Sequence, residues 1–183
     1  MSIEQELQQV RRDAAAGRMS QAADKCLAIL RREPGNLTAI EIYGKLAMEM
    51  NQHAEAVLIF QKLLEIEPRH AGAHEGLAAL FAESGDYRAA TNHGETALQL
   101  NPKSVIAQTA IAKVLLSENR EDEALDAFER AQGMAPGNLM VEMSYADALL
   151  GMGRFDRASE VLTELISLYP DNTAFHYRLA DTR

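Results

Sequence analysis

From Pro102 to Pro136 the chain reads PKSVIAQTAIAKVLLSENREDEALDAFERAQGMAP. Proline lacks the amide N–H and its ring clashes with the preceding turn, so each proline marks a helix end. Between the two prolines lie two amphipathic stretches of about a dozen residues, broken near Asn119, a residue type that tolerates a left-handed helix terminus. The unit recurs. The chain has five prolines, Pro34, Pro68, Pro102, Pro136 and Pro170, and every spacing is 34. The pairs that follow them, Gly35-Asn36, Arg69-His70, Lys103-Ser104, Gly137-Asn138 and Asp171-Asn172, are mostly turn formers or caps.

Inside each period the same sizes return. Ala22, Ala56, Ala90, Ala124 and Ala158 each stand twelve residues before a proline, where a methyl group lets two helices approach closely. A second small column reads Gly44, Ala78, Ala112 and Ala146, with Val10 in the first block and Ala180 in the last. Tyr43, Leu77, Ile111, Tyr145 and Leu179 flank it, and Cys26, Phe60, Phe128 and Leu162 fill the matching place in the second helix. First helices are expected to end near Gly17, Asn51, Gly85, Asn119 and Gly153. Neither helix of a pair can bury its apolar face alone, so neighbouring pairs must stack.

These columns and the terminal proline resemble the tetratricopeptide repeat family. The resemblance covers residues 3–36, 37–70, 71–104, 105–138 and 139–172 as whole repeats, and 173–183 as the opening of a sixth. It implies an all-α fold, a right-handed superhelical solenoid of antiparallel helix pairs, forming a single domain over residues 1–183. It also implies a concave groove, lined by the first helix of each pair, that receives an extended peptide or a helix. Projected onto this chain, the groove carries Arg11, Glu41, Lys45, Met48, Glu49, Glu75 and Glu83 in its N-terminal half. Ile106, Thr109, Lys113, Leu116, Met140, Met143, Asp147, Leu150 and Tyr177 follow in its C-terminal half. Two ligand codes of the family are missing. The carboxylate clamp for chaperone C-termini would need Lys, Asn and Arg where Leu7, Arg11, Ile42, Gly72 and Gly76 stand. The asparagine ladder of the O-linked N-acetylglucosamine transferase array would need Asn at Gln8, Ile42, Gly76, Ala110 and Ser144.

Charge narrows the partner. The net charge is −9, which argues against nucleic acid, because phosphate neutralisation needs clustered Lys and Arg. Successive 34-residue blocks from Ile3 carry +1, −2, −2, −3 and −4, and residues 173–183 carry +1. The expected ligand is therefore a protein segment with an apolar face and basic flanks, taken up by the methionine-bearing repeats four to six. Apolar stretches are too short to span a bilayer, and the polar, acidic start lacks the features of a targeting peptide. One cysteine, Cys26, forms no internal disulfide and fits a reducing compartment, so the expected location is the cytoplasm.

No nucleophile–base pair, phosphate loop or metal set is present in the sequence, so no enzyme activity or cofactor is expected. His70 and His74 share a helix face but lack further ligands, and His53, His93 and His176 read as scattered. Cys26 stands in a hydrophobic column and reads as core. The third repeat has Gly94 in the bulky column and Gly72 and Gly76 in its first helix; local repacking by a neighbour such as Phe81 is the expectation, with a soft bend as the alternative. The sixth repeat stops about a turn short of the usual helix end and keeps Phe175 and Tyr177. That suggests a longer protein with its native start at Met1, or self-association through the open end. The functional expectation is an interaction scaffold or adaptor. The alternative is the non-catalytic leading array of a larger enzyme, in the manner of bacterial sulfotransferases.

Overall fold

The structure, a computed structural model, describes residues 2–180 and 182. Met1, Asp181 and Arg183 lie outside the described residues, so the expected sixth repeat is followed only in part. Among the described residues there are eleven helices and no strand. The first helices of the pairs are α1 (Ile3–Ala15), α3 (Leu37–Glu49), α5 (Ala71–Ser84), α7 (Val105–Ser117), α9 (Leu139–Gly151) and α11 (Thr173–Ala180). The second helices are α2 (Met19–Arg32), α4 (His53–Ile66), α6 (Tyr87–Leu100), α8 (Glu121–Met134) and α10 (Phe155–Leu168). The chain is thus an all-helical solenoid of five helix pairs and the start of a sixth. Helices of 13 or 14 residues are marginal alone in water, so stacking supplies their stability.

Both ends of the first helices are written into the period. The side chains of Ser2, Asn36, His70, Ser104, Asn138 and Asn172 each accept a hydrogen bond from a first-turn amide. Ser2 and Gln5 close a reciprocal capping box, and such a cap contributes about 1 kcal/mol. At the other end Gly17, Asn51, Gly85, Asn119 and Gly153 all take positive φ, from 58° to 82°. In four of these turns the next amide (Arg18, Gln52, Arg120, Arg154) reaches back to the carbonyl of Asp13, Ala47, Leu115 or Leu149. This closes the helix and reverses the chain.

The two small columns meet in the core. Ala22, Ala56, Ala90, Ala124 and Ala158 are wholly buried, as are Val10, Ala78, Ala112 and Ala146. Around them large residues interlock. The Phe60 ring occupies the space that a side chain on Gly44 or Gly76 would need. Gly94 leaves room for Ile111, whose Cδ1 lies 2.8 Å from where a Cβ on Gly94 would stand. The filler in the third repeat is therefore Ile111 from the next first helix and not Phe81, which stacks on His93 instead. Gly76 is a seat for an aromatic ring, and Gly72 stands against the Glu41 carboxylate.

Besides Val10, the first repeat departs from the pattern at Asp13. Where later first helices carry Ala47, Phe81, Leu115 and Leu149, α1 carries Asp13, buried all the same. Its carboxylate accepts from Lys25, from Arg18 Nη2 at 2.6 Å and from Gln9 Nε2 at 3.2 Å. Lys25 first, then Arg18, hold its pKa down at about 2. At the other end Phe175 is only 2% exposed, packed against Ala146, Leu162 and Leu165 and edge-on to Tyr169. This corrects the expectation of an exposed Phe175; of the two aromatics on α11, Tyr177 alone faces out.

Candidate interaction groove

The expected groove residues fall on the first helices, and the structure sorts them by what each touches. Met140 is 47% exposed and Tyr177 75%, the most open apolar surface on these helices. Ile106, Leu116, Met143 and Leu150 are half-buried. Met143 and Leu150 lean on the cluster of Ala146, Leu162, Leu165 and Phe175, and Leu116 packs beside Ala112 and Leu115. Met48 likewise rests on the core around Phe60. Thr109 is a correction: it is 4% exposed, and its hydroxyl donates to the Val105 carbonyl one turn back at 2.9 Å. It sits in the core and offers nothing to a ligand.

The charged groove residues largely satisfy one another. Lys45 pairs with Glu41 at 2.5 Å, and His70 Nε2 lies 3.7 Å from the same carboxylate. Glu75 accepts from Asn101 Nδ2 at 3.1 Å, and Lys113 stands 3.9 Å from Glu83. Asp147 receives Arg178 through Nε at 2.6 Å and Nη2 at 3.3 Å. Arg178 was not among the expected groove residues, since its column elsewhere holds Gln8, Ile42, Gly76, Ala110 and Ser144. Glu49 remains exposed, at the edge of a cleft of about 280 Å³ that Arg11, Glu41, Ile42 and Lys45 also line.

The acid of the C-terminal half lies mostly off the first helices. Within residues 105–172 the first helices α7 and α9 carry two carboxylates, Glu142 and Asp147. The others stand on α8, α10 and the turns. Some of these acids are structural. Glu129 on α8 accepts from Arg157 Nη2 on α10 at 2.7 Å, and the Arg157 guanidinium lies 5.7 Å from the centre of the Tyr145 ring on α9. Arg120 bonds both Glu118 and Glu123.

Other reactive side chains are also absorbed by the fold. Burial pushes the Cys26 thiol up to about 11, which keeps it neutral at ordinary pH. His70 caps α5, whereas His74 turns to Pro68 and to His93, so the two do not face one ligand. Among the described residues no three His, Cys, Asp or Glu side chains converge as a metal would require. No described helix is long and apolar enough to cross a membrane.

Family patterns described as tetratricopeptide repeat match residues 43–90, 81–138 and 115–181. The chain belongs to the tetratricopeptide repeat family. No curated protein matches it in sequence. Among solved structures, a thermophilic tetratricopeptide protein of Thermus thermophilus superposes with a TM-score of 0.82 at 17% identity, covering 99% of this chain and 98% of its own. A MamA fragment of Desulfovibrio magneticus gives 0.65 at 16%, covering 92% and 96%. YrrB, a tetratricopeptide protein with an unusual peptide-binding site, gives 0.58 at 18%, covering 94% and 89%. At these identities the likeness is one of tetratricopeptide fold.

Proposed function

We propose that the array is a protein-interaction scaffold that receives an apolar peptide or amphipathic helix along its first helices, over repeats four to six. The observation that carries this reading is the open apolar surface of Met140 and Tyr177, continued by the half-buried Ile106, Leu116, Met143 and Leu150. Exposed apolar side chains on the first helices of a repeat array are a common mark of a binding site. The mutual pairing of Lys113 with Glu83 and of Asp147 with Arg178 leaves little free charge on this stretch, which favours an apolar contact face. Basic flanks of the ligand would then compete with Arg120 and Arg154 for Glu118 and Glu121 at the α7–α8 turn.

Peptides selected from a random display library against the purified chain provide the test. Met140→Glu and Tyr177→Ala alter exposed side chains, so folding is retained while affinity for the selected apolar peptides drops by about tenfold or more, a loss of about 1.4 kcal/mol or more. Asp126→Ala, on the second-helix face, serves as control. Unchanged Kd in both groove variants would rule this surface out. YrrB, which shares the fold, has a peptide-binding site, and this supports a peptide as the kind of ligand.

A further inference from the structure

Two imidazoles meet inside the third repeat, between α5 and α6. His74 is 9% exposed; its Nε2 lies 3.1 Å from the Pro68 carbonyl and its Nδ1 lies 2.9 Å from Nδ1 of His93. A carbonyl oxygen only accepts, so His74 carries its proton on Nε2 and its Nδ1 accepts from Nδ1–H of His93. Phe81 stacks on the His93 ring, centroids 5.7 Å apart and planes 20° from parallel. One repeat earlier the same two positions are Ile40 and Ile59. The pair thus puts a protonatable hydrogen bond where the neighbouring repeat uses aliphatic packing.

The surrounding charges are engaged elsewhere or face solvent. Glu75 is held by Asn101, Glu41 by Lys45 and His70, and Glu83 lies between Lys113 and His53. Asp86 caps α6, and Glu65, Glu67, Arg69, Arg88, Glu95 and Lys103 are exposed. Neither imidazole of the pair has a carboxylate partner among the described residues. Proton uptake therefore finds no counter-charge.

We propose that the His74–His93 pair is an acid-sensitive latch: protonation separates α5 from α6 and loosens the array at its middle. Once both rings are charged, neither Nδ1 can accept, and two N–H groups with like charge face each other in a partly buried site. Burial, and after it the charge of His74, already holds His93 below the ordinary histidine range. The sign follows. A histidine with a lowered folded pKa contributes stability that is whole above about pH 6.5 and lost as pH falls below it, by up to about tenfold in the opening equilibrium per pH unit per proton. Because α5 lies between repeats two and four, opening it uncouples the N-terminal end of the groove from the apolar C-terminal stretch.

Amide-exchange protection measured at about pH 7.5 and about pH 5.5 tests the latch, since these values bracket the ordinary histidine range. The expected result is a loss of protection of about tenfold or more in α5 and α6 at the lower pH, with α9 and α10 little changed. The double variant His74→Ile and His93→Ile, which copies Ile40 and Ile59, should keep its protection at both pH values. Equal loss across all repeats, or the same acid response in the double variant, would overturn the proposal. Should that variant fail to fold, imidazole titration by NMR in the unmodified chain decides: His93 must titrate below the ordinary histidine value of about 6.5, and a midpoint at or above it refutes the latch.

Discussion

Phe60 fills the space that a Cβ on Gly76 would occupy, and the same ring bars one on Gly44. Far ends of side chains usually yield, but this ring is wholly buried between two first helices and has nowhere to go. Gly76→Ala gains about 1 kcal/mol of helix propensity and loses about 1–3 kcal/mol to overpacking. The net expectation is a lower urea midpoint. Adding Phe60→Leu should recover part of it, a coupling that a double-mutant cycle reads directly. Gly133 on α8, with nothing near its missing Cβ, is the contrast: Gly133→Ala should raise stability by about 0.5–1 kcal/mol.

Asp13 makes the first repeat sensitive to strong acid. Its folded pKa of about 2 lies below the ordinary carboxylate value of 3.8. Its contribution is therefore present above the unfolded pKa and lost as pH falls through about 2. Asp13→Asn should lower the melting temperature by a constant amount near neutrality, and the two melting curves should converge as pH falls towards 2. A difference that persisted there would mean that Asp13 acts through shape and not through charge.

The left-handed turn residues offer a test of repeat equivalence. Asn51 and Asn119 both have φ of 58°. Asn51→Gly and Asn119→Gly should be near neutral, while the alanine variants should each cost about 1 kcal/mol from the strained φ. Chemical denaturation of the four variants checks this, and unequal costs at the two sites would show that the repeats do not share one turn.

The bridge from α8 to α10 should be modest in energy. Glu129 and Arg157 are half-exposed, so their coupling in a double-mutant cycle should stay below about 1 kcal/mol. Arg157→Lys should lose part of the contribution from stacking over Tyr145, because an ammonium lacks the planar guanidinium.

What the sequence made legible was everything that repeats. Proline spacing, the alanine column and the turn residues Gly17 to Gly153 are one-dimensional signals, and each marks a backbone constraint that admits few residue types. What it hid depends on angle and depth. A charge count over 34 residues cannot separate α8 from α7, so the face that carries the acid was not legible. Thr109 sits in a column that is half-buried at Met143 and exposed at Tyr177, so the column itself does not give its depth. His93 looked isolated because its partner lies 19 residues back, on the opposite helix of the hairpin. The partner of Gly94 was misassigned for the same reason, since Ile111 belongs to the following repeat.

The shared left-handed conformation at every hairpin turn within the pairs bears on how such a chain can change length. Excising or duplicating 34 residues rejoins one turn to an equivalent turn, so no new loop has to be invented at the seam. Slippage at the level of the gene can then shorten or extend the array while its register survives. The exception is the stretch from Gly44 to Gly76, where two glycines are fitted to one aromatic ring. A recombination point placed inside that stretch would part the ring from its seat. Lineages of this array should therefore vary in length at the C-terminal repeats sooner than within the second and third.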